Sequence, residues 1–198
     1  SKQMNKEIVV FDFDGTLTTK DTLFEFIKYA KGYWNFFFGL IICSPILLTY
    51  LLRITPNYKA KEYLFSHFFK DMKYQEFKQL GINFSKNINQ FTRKNSIEAL
   101  RFHQMEGRII YVISASIEEW IKPWCQQHEI NNVLGTKIEV ANGKLTGRFL
   151  SKNCYGQEKV NRLKQCEPNR TNYYLYAYGD SNGDKEMLNY ADEAIWIK

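Results

Sequence analysis

A chain of 198 residues is long enough for one α/β domain with a modest insertion and too short for two full domains. With 44% hydrophobic and 16% aromatic residues it can bury a core, which excludes general disorder. The net charge of +6 is uneven: residues 20–104 hold 13 Lys and Arg against 6 Asp and Glu, a surplus of +7, and the rest hold 14 against 15. Such a basic segment is either a solubilising lysine coat or an attractor of anionic partners. Cys43, Cys125, Cys154 and Cys166 stand far apart with no C-x-x-C pair, and residues 1–7 are polar rather than a secretory signal. Reduced thiols in a cytoplasmic compartment are expected.

Residues 8–14 open with an apolar run bounded by Gly15, the pattern of a buried parallel strand. Residues 23–29 read as an amphipathic helix. Thr55-Pro56 reads as an N-cap with proline at the first helical position, opening a helix to about residue 70. Further helices are expected over 73–80 and 96–106, with Gly107 as a stop. A second buried strand covers 108–113. Ser116 to Glu119 has capping-box spacing and predicts another helix, in which Pro123 implies a kink or a late start. Residues 137–149 alternate around Asn142-Gly143, a hairpin signal. A helix over 156–165, a strand over 173–178, a helix over 183–190 and a strand over 194–197 complete the pattern.

Strands alternating with helices predict a three-layer, Rossmann-like parallel sheet. The stretch between the first two strands is too long for a simple crossover and reads as a helical cap inserted after strand one. The expected division is a core of 1–19 and 106–198 and a cap of 20–105. Ligands of such sheets bind beyond the carboxyl ends of the strands, which directs attention to Asp12, Asp14, Ser114 and Asp180.

In Asp12-Phe13-Asp14-Gly15-Thr16-Leu17-Thr18 an extended strand would turn both carboxylates to one face. Crowded carboxylates repel unless a cation or a shared proton compensates, and a hard oxygen-seeking ion such as Mg2+ answers that need. An N-cap or turn role is the plain alternative. Gly179-Asp180-Ser181-Asn182-Gly183-Asp184 again sets two carboxylates just past a strand. Ser114 and Ala115, at a helix entrance, offer a hydroxyl and backbone N–H groups to a phosphate. Lys159 offers a cation at the start of a helix.

These four segments together resemble the four motifs of the haloacid dehalogenase superfamily of phosphatases, across the whole chain. The helical insertion resembles the subfamily that contains phosphoserine phosphatase. The resemblance implies that Asp12 is the nucleophile, forming an aspartyl phosphate, and Asp14 the acid and base, with its backbone carbonyl on the metal. It implies Asp12, Asp14 and Asp180 as Mg2+ ligands, Ser114, Ala115 and Lys159 on the phosphoryl group, and Gly15, Thr16 and Asp184 in support. True dehalogenases do not need the second aspartate as an acid, so Asp14 points to phosphate chemistry.

Residues 32–52 run 21 positions without a charge. Two cap helices hinged near Pro45 and packed on each other are one reading; contact with an anionic membrane, helped by basic flanks, is the other. The segment is similar to one in phosphatidylglycerophosphate phosphatases of this subfamily. Phosphoserine phosphatases differ at two places, with Ser-Gly-Gly where this chain has Ser114-Ala115-Ser116, and serine where it has Gly15. The expected activity is thus Mg2+-dependent hydrolysis of a small or lipid-borne phosphate, in the cytoplasm or peripherally at the inner membrane face. An inactive phosphate- or phospholipid-binding module is the rival from another class. His67, His103 and His128 lack zinc spacing and are expected on the surface or on helices. The lysines and aromatics of 58–77 read as helix packing rather than as a nucleic-acid surface.

Overall fold

The computed structural model describes residues 6–198. Its centre is β1 (Lys6–Phe11), whose last four side chains are all buried, as a strand covered on both faces requires. β2 (Ile109–Ile117) and β6 (Tyr173–Gly179) pair with it on either side, and β3 (Asn132–Thr136) and β7 (Glu193–Trp196) form the edges. The order is β3-β2-β1-β6-β7, every pair parallel. Alternation divides the core: Val9, Phe11 and Val112 face one cluster, Ile8, Val10 and Ile113 the other. α6 (Lys94–Met105) and α7 (Glu118–Gln127) cover the first face through Leu100, Trp120 and Trp124. α8 (Gln157–Cys166) and α9 (Lys185–Tyr190) cover the second through Val160, Leu163 and Met187. The three-layer parallel α/β architecture is therefore the one expected.

Between β1 and β2 lie α1 (Thr22–Lys31), α2 (Tyr33–Ile42), α3 (Ser44–Leu51), α4 (Asn57–Phe69) and α5 (Tyr74–Asn87), ahead of α6. An aromatic cluster ties them to the core: Phe26 of α1 stacks on Trp120 of α7 at 4.4 Å and meets Phe69, Phe77 and Phe84 edge-on or tilted. Each such buried ring contributes about 1.5–3 kcal/mol of transfer free energy. Pro123 leaves the Glu119 carbonyl of α7 without its helical N–H, and α5 approaches that carbonyl closely at Gly81, where a Cβ would collide.

Several boundaries differ from expectation for identifiable reasons. β1 stops at Phe11, not Asp14, because the chain turns there. β2 runs on to Ile117, so the expected capping box does not form; α7 starts at Glu118 with no side-chain cap. α4 starts after Pro56, and Thr55 instead bonds Thr49. Strand β3 was not expected. α2 and α3 meet at Cys43 with a 67° bend, two residues before Pro45. They do not bury their apolar side chains in each other: α2 buries Phe36 and Gly39, and α3 buries none. The hairpin of β4 (Ile138–Ala141) and β5 (Lys144–Phe149) forms as expected, with positive φ at both Asn142 and Gly143.

Candidate active site

The carboxyl ends of β1, β2 and β6 converge on a cavity of about 280 Å³, lined by Asp12, Asp14, Gly15, Ser114, Ala115, Lys159 and Asp180. All seven were expected at the site. Asp12 follows β1 and remains tied to the sheet by its N–H, donated to the Tyr178 carbonyl at 3.1 Å. The chain then folds over Phe13, whose carbonyl accepts the N–H groups of Thr16, Leu17 and Thr18. Asp12 and Asp14 consequently do not share a face through strand alternation, a correction to the expected geometry. The turn sends their carboxylates to different partners.

Asp12 Oδ1 accepts the Phe13 N–H at 2.7 Å and pairs with Lys159 Nζ at 3.0 Å. Lys159 is buried and also donates to Asp184 Oδ1 at 2.6 Å. The other oxygen of Asp184 accepts the N–H groups of Asp180 and Ser181, so this carboxylate holds both the lysine and the turn that carries Asp180. Asp180 Oδ1 accepts from the Thr16 hydroxyl at 2.9 Å. Gly15 has φ +80°, and a Cβ there would run into the Asp180 carboxylate. The glycine thus keeps open the space where the first and last segments face each other.

Asp12, Asp180 and Asp184 each bring a carboxylate oxygen within 4.8 Å of the others. Lys159 offsets one of these three charges, and the remaining two match a divalent cation. A set of hard oxygen donors with that residual charge fits Mg2+. The electrostatic strain is visible in Asp12, which burial, then Asp184 and Asp180, push up to about pH 7 against the pull of Lys159. Burial also raises Asp180. Burial would raise Asp184 as well, but Lys159 and the Asp180 N–H hold it below the usual carboxylate range. Lys159 is penalised by burial yet raised by Asp12 and Asp184, so it stays charged.

Asp14 faces the other way. Its Oδ1 accepts the N–H and hydroxyl of Thr22, at 3.1 and 2.6 Å, and its Oδ2 accepts the Ser116 hydroxyl at 2.7 Å. Burial and the nearby Asp21 raise it to about 6, despite Lys61, Thr22 and Ser116. Trp120 Nε1 donates to the Thr22 hydroxyl at 2.9 Å and fixes its direction. Ser114 Oγ is itself bonded to Ser116, through its N–H at 3.1 Å and its hydroxyl at 2.9 Å. Thr22 and Ser116 were not expected here, nor were Asp21 and Lys61, paired at 3.2 Å on the cavity wall. Ser116 alone had a signal in the chain: it stands two residues from Ser114 in a strand, hence on the same face.

Comparison with known proteins places the chain among relatives. CicA of Caulobacter vibrioides (strain NA1000 / CB15N) is 29% identical over 189 residues, 94% of this chain and 83% of that protein. A protein of unknown function from Bordetella pertussis Tohama I superposes with a TM-score of 0.83 at 16% identity, over 98% of this chain and 90% of that one. A phosphoserine phosphatase solved as a phospho-aspartyl intermediate analogue superposes with a TM-score of 0.66 at 19% identity, over 97% and 86%. The profile described as haloacid dehalogenase-like hydrolase matches residues 9–189, and the chain belongs to that family of hydrolases.

Proposed function

We propose that this enzyme hydrolyses phosphate monoesters through a phospho-enzyme on Asp12, with Mg2+ as cofactor. The buried row of Asp12, Lys159 and Asp184 beside Asp180 carries the reading. Asp12 Oδ1 is held by Phe13 and Lys159, which leaves Oδ2 to attack phosphorus. The ester P–O bond breaks, and Asp14, raised to about 6, protonates the departing alkoxide. Asp14 then takes a proton from water as its oxygen attacks the aspartyl phosphate, releasing inorganic phosphate and restoring Asp12. Lys159, Ser114 and the N–H groups around Ala115 hold the phosphoryl oxygens. Asp12, Asp180 and the Asp14 main-chain carbonyl would hold Mg2+, because the Asp14 carboxylate is committed to Thr22 and Ser116. When bound, the ion offsets repulsion between the anionic nucleophile and the anionic substrate. Asp184 positions Lys159, and Gly15 and Thr16 position Asp180. We take 20–105 as the cap over this site, with α6 packed on the sheet.

The substrate is a phosphorylated small molecule or a lipid-borne phosphate. An amino-acid phosphate is favoured among soluble esters by Asp21 and Lys61, opposite charges 3.2 Å apart at the cavity wall that match a zwitterion. Turnover of p-nitrophenyl phosphate with Mg2+ and its loss in Asp12→Asn test the chemistry. Full turnover after exhaustive chelation, or in Asp12→Asn free of deamidation, defeats it. A screen across phosphoserine, other phosphometabolites and phosphorylated lipid headgroups separates the substrates.

A further inference from the structure

Among the described residues, half the exposed large hydrophobic side chains are gathered in one place. Of 21 such residues, 11 fall within positions 33–54, on α2, α3 and the turn that follows. Trp34 is 71% exposed, Phe38 57%, Ile42 61% and Leu51 73%. A continuous apolar face of this kind on a folded chain marks a surface that something covers. No single helix among the described residues is long and apolar enough to cross a membrane. α2 and α3 have 10 and 8 residues, so they are about 15 and 12 Å long at 1.5 Å per residue, against an apolar bilayer core of about 30 Å. A 67° bend separates them, so they form two short helices of different direction rather than one straight span.

We propose that the bent α2–α3 pair docks in the headgroup region of an anionic bilayer and sets the mouth of the cavity against that surface. Two observations choose this occupant. From Phe26 to Lys61 the chain carries five basic residues and no acidic one; Lys28 and Lys61 pair with Glu25 and Asp21, which leaves Lys31, Arg53 and Lys59 to meet anionic lipid. A second copy seated symmetrically on this face would bring like charges together, whereas anionic lipid neutralises them. The side chains are also ordered as an interfacial insertion requires. Along α2, Tyr33 and Trp34 stand at the start and Ile41 and Ile42 at the end, beside the bend. Aromatic rings with one polar edge settle at headgroup level, and aliphatic chains go deeper. The face is continuous with the catalytic cavity: a groove beside Leu51, Arg53 and Tyr58 reaches Asn57 and Tyr155, both of which line the cavity. This last step rests on the proposed hydrolase reading; the docking itself does not.

The test is co-sedimentation with vesicles of equal parts phosphatidylglycerol and phosphatidylcholine, with tryptophan fluorescence recorded in the unaltered protein and in Trp34→Phe, whose difference is the Trp34 signal. The unaltered protein should bind and shift its emission to the blue, binding pure phosphatidylcholine vesicles at least about tenfold more weakly. Binding should weaken as salt rises. Phe37→Ser/Phe38→Ser/Ile41→Ser should lower binding by about tenfold or more while circular dichroism and p-nitrophenyl phosphate turnover stay unchanged. If that variant misfolds, Arg53→Gln/Lys59→Gln decides: it removes two exposed charges and should weaken binding to the anionic vesicles. Asp12→Asn should bind vesicles fully while losing turnover, so failure of docking and failure of the hydrolase reading are separable. No binding at low salt, or binding that both variants leave intact, overturns the proposal. A lipid-free dimer that the triple variant turns into a non-binding monomer overturns it in favour of a second copy.

Discussion

The carboxylate of Asp14 is held by three donors, two from Thr22 and one from Ser116, and each favours its ionised form. An acid catalyst must nonetheless carry a proton, and burial supplies the opposing push that brings Asp14 to about 6. Removing a donor to the charged form raises the value further. In Ser116→Ala, the pH limb on which activity falls as Asp14 loses its proton should therefore move to higher pH, and Ser116→Thr should restore it. A pH–rate profile with a poor leaving group reads the shift; an unmoved limb would show that Ser116 does not act on Asp14. Asp14→Asn should slow turnover by about a hundredfold or more, and less in the first step when the leaving group needs no proton. Single-turnover rates measure both, and equal losses for good and poor leaving groups would remove Asp14 from the role of acid.

At the level of elements, what could be read in the chain depended on whether a local pattern decided the outcome. β1 was legible because burial on both faces demands an apolar run, β6 because buried positions alternate along it, and the Asn142-Gly143 hairpin because positive φ demands particular residues. β3 was not, since Asn132 and Gly135 have no strand pattern and the segment is held by pairing with β2 and by the Glu118 carboxylate, which accepts the Gly135 N–H. Asp12 and Asp180 were legible as strand-end chemistry and Lys159 as a cation at a helix start, and Ser114, read at a helix entrance, lies inside β2; Thr22 and Lys61 come from the insertion and meet the site only through tertiary packing. His103 was expected on a helix or at the surface, and it is buried on α6. Its Nδ1 faces Arg108 at 3.0 Å and its Nε2 faces the Tyr178 hydroxyl at 2.7 Å, with Glu7 bonded to Arg108 beyond. Burial, then Arg108, lowers it from 6.5 to about 4. Between those values the unfolded chain binds a proton that the folded chain refuses, so this group's effect on stability weakens the fold as pH falls from 6.5 to 4. His103→Gln should flatten that part of a Tm-against-pH curve relative to the unaltered protein. An identical slope in the variant would mean that the imidazole does not titrate as its surroundings demand.

For the whole molecule, the sharpest conflict is between stability and the charge needed at the site. Asp12 is raised from 3.8 to about 7, so in metal-free protein its contribution is fully present below 3.8 and is lost as pH rises through 7. That trend opposes the one from His103 over the shared window, which is why single variants rather than the parent curve must separate them. Three carboxylates gathered around Lys159 thus leave the metal-free fold under repulsion, a cost carried for function. Mg2+ binding should offset it: at a hundredfold excess over its dissociation constant, ligand binding adds about 2.7 kcal/mol. For a chain of this size that amounts to a Tm rise of roughly 5–11 °C, larger above pH 7, where Asp12 is ionised, than below it. Asp180→Asn removes one repelling charge and leaves a neutral amide oxygen, a weaker ligand, in place of the anionic one. It should therefore raise the Tm of the metal-free protein, shrink the Mg2+-induced rise and lower Mg2+-dependent turnover. Differential scanning calorimetry with chelator and with added Mg2+ reads the first two effects without any activity measurement. If Asp180→Asn lowers the metal-free Tm and leaves the Mg2+ increment intact, the carboxylates are not the cation site, and their crowding has another cause.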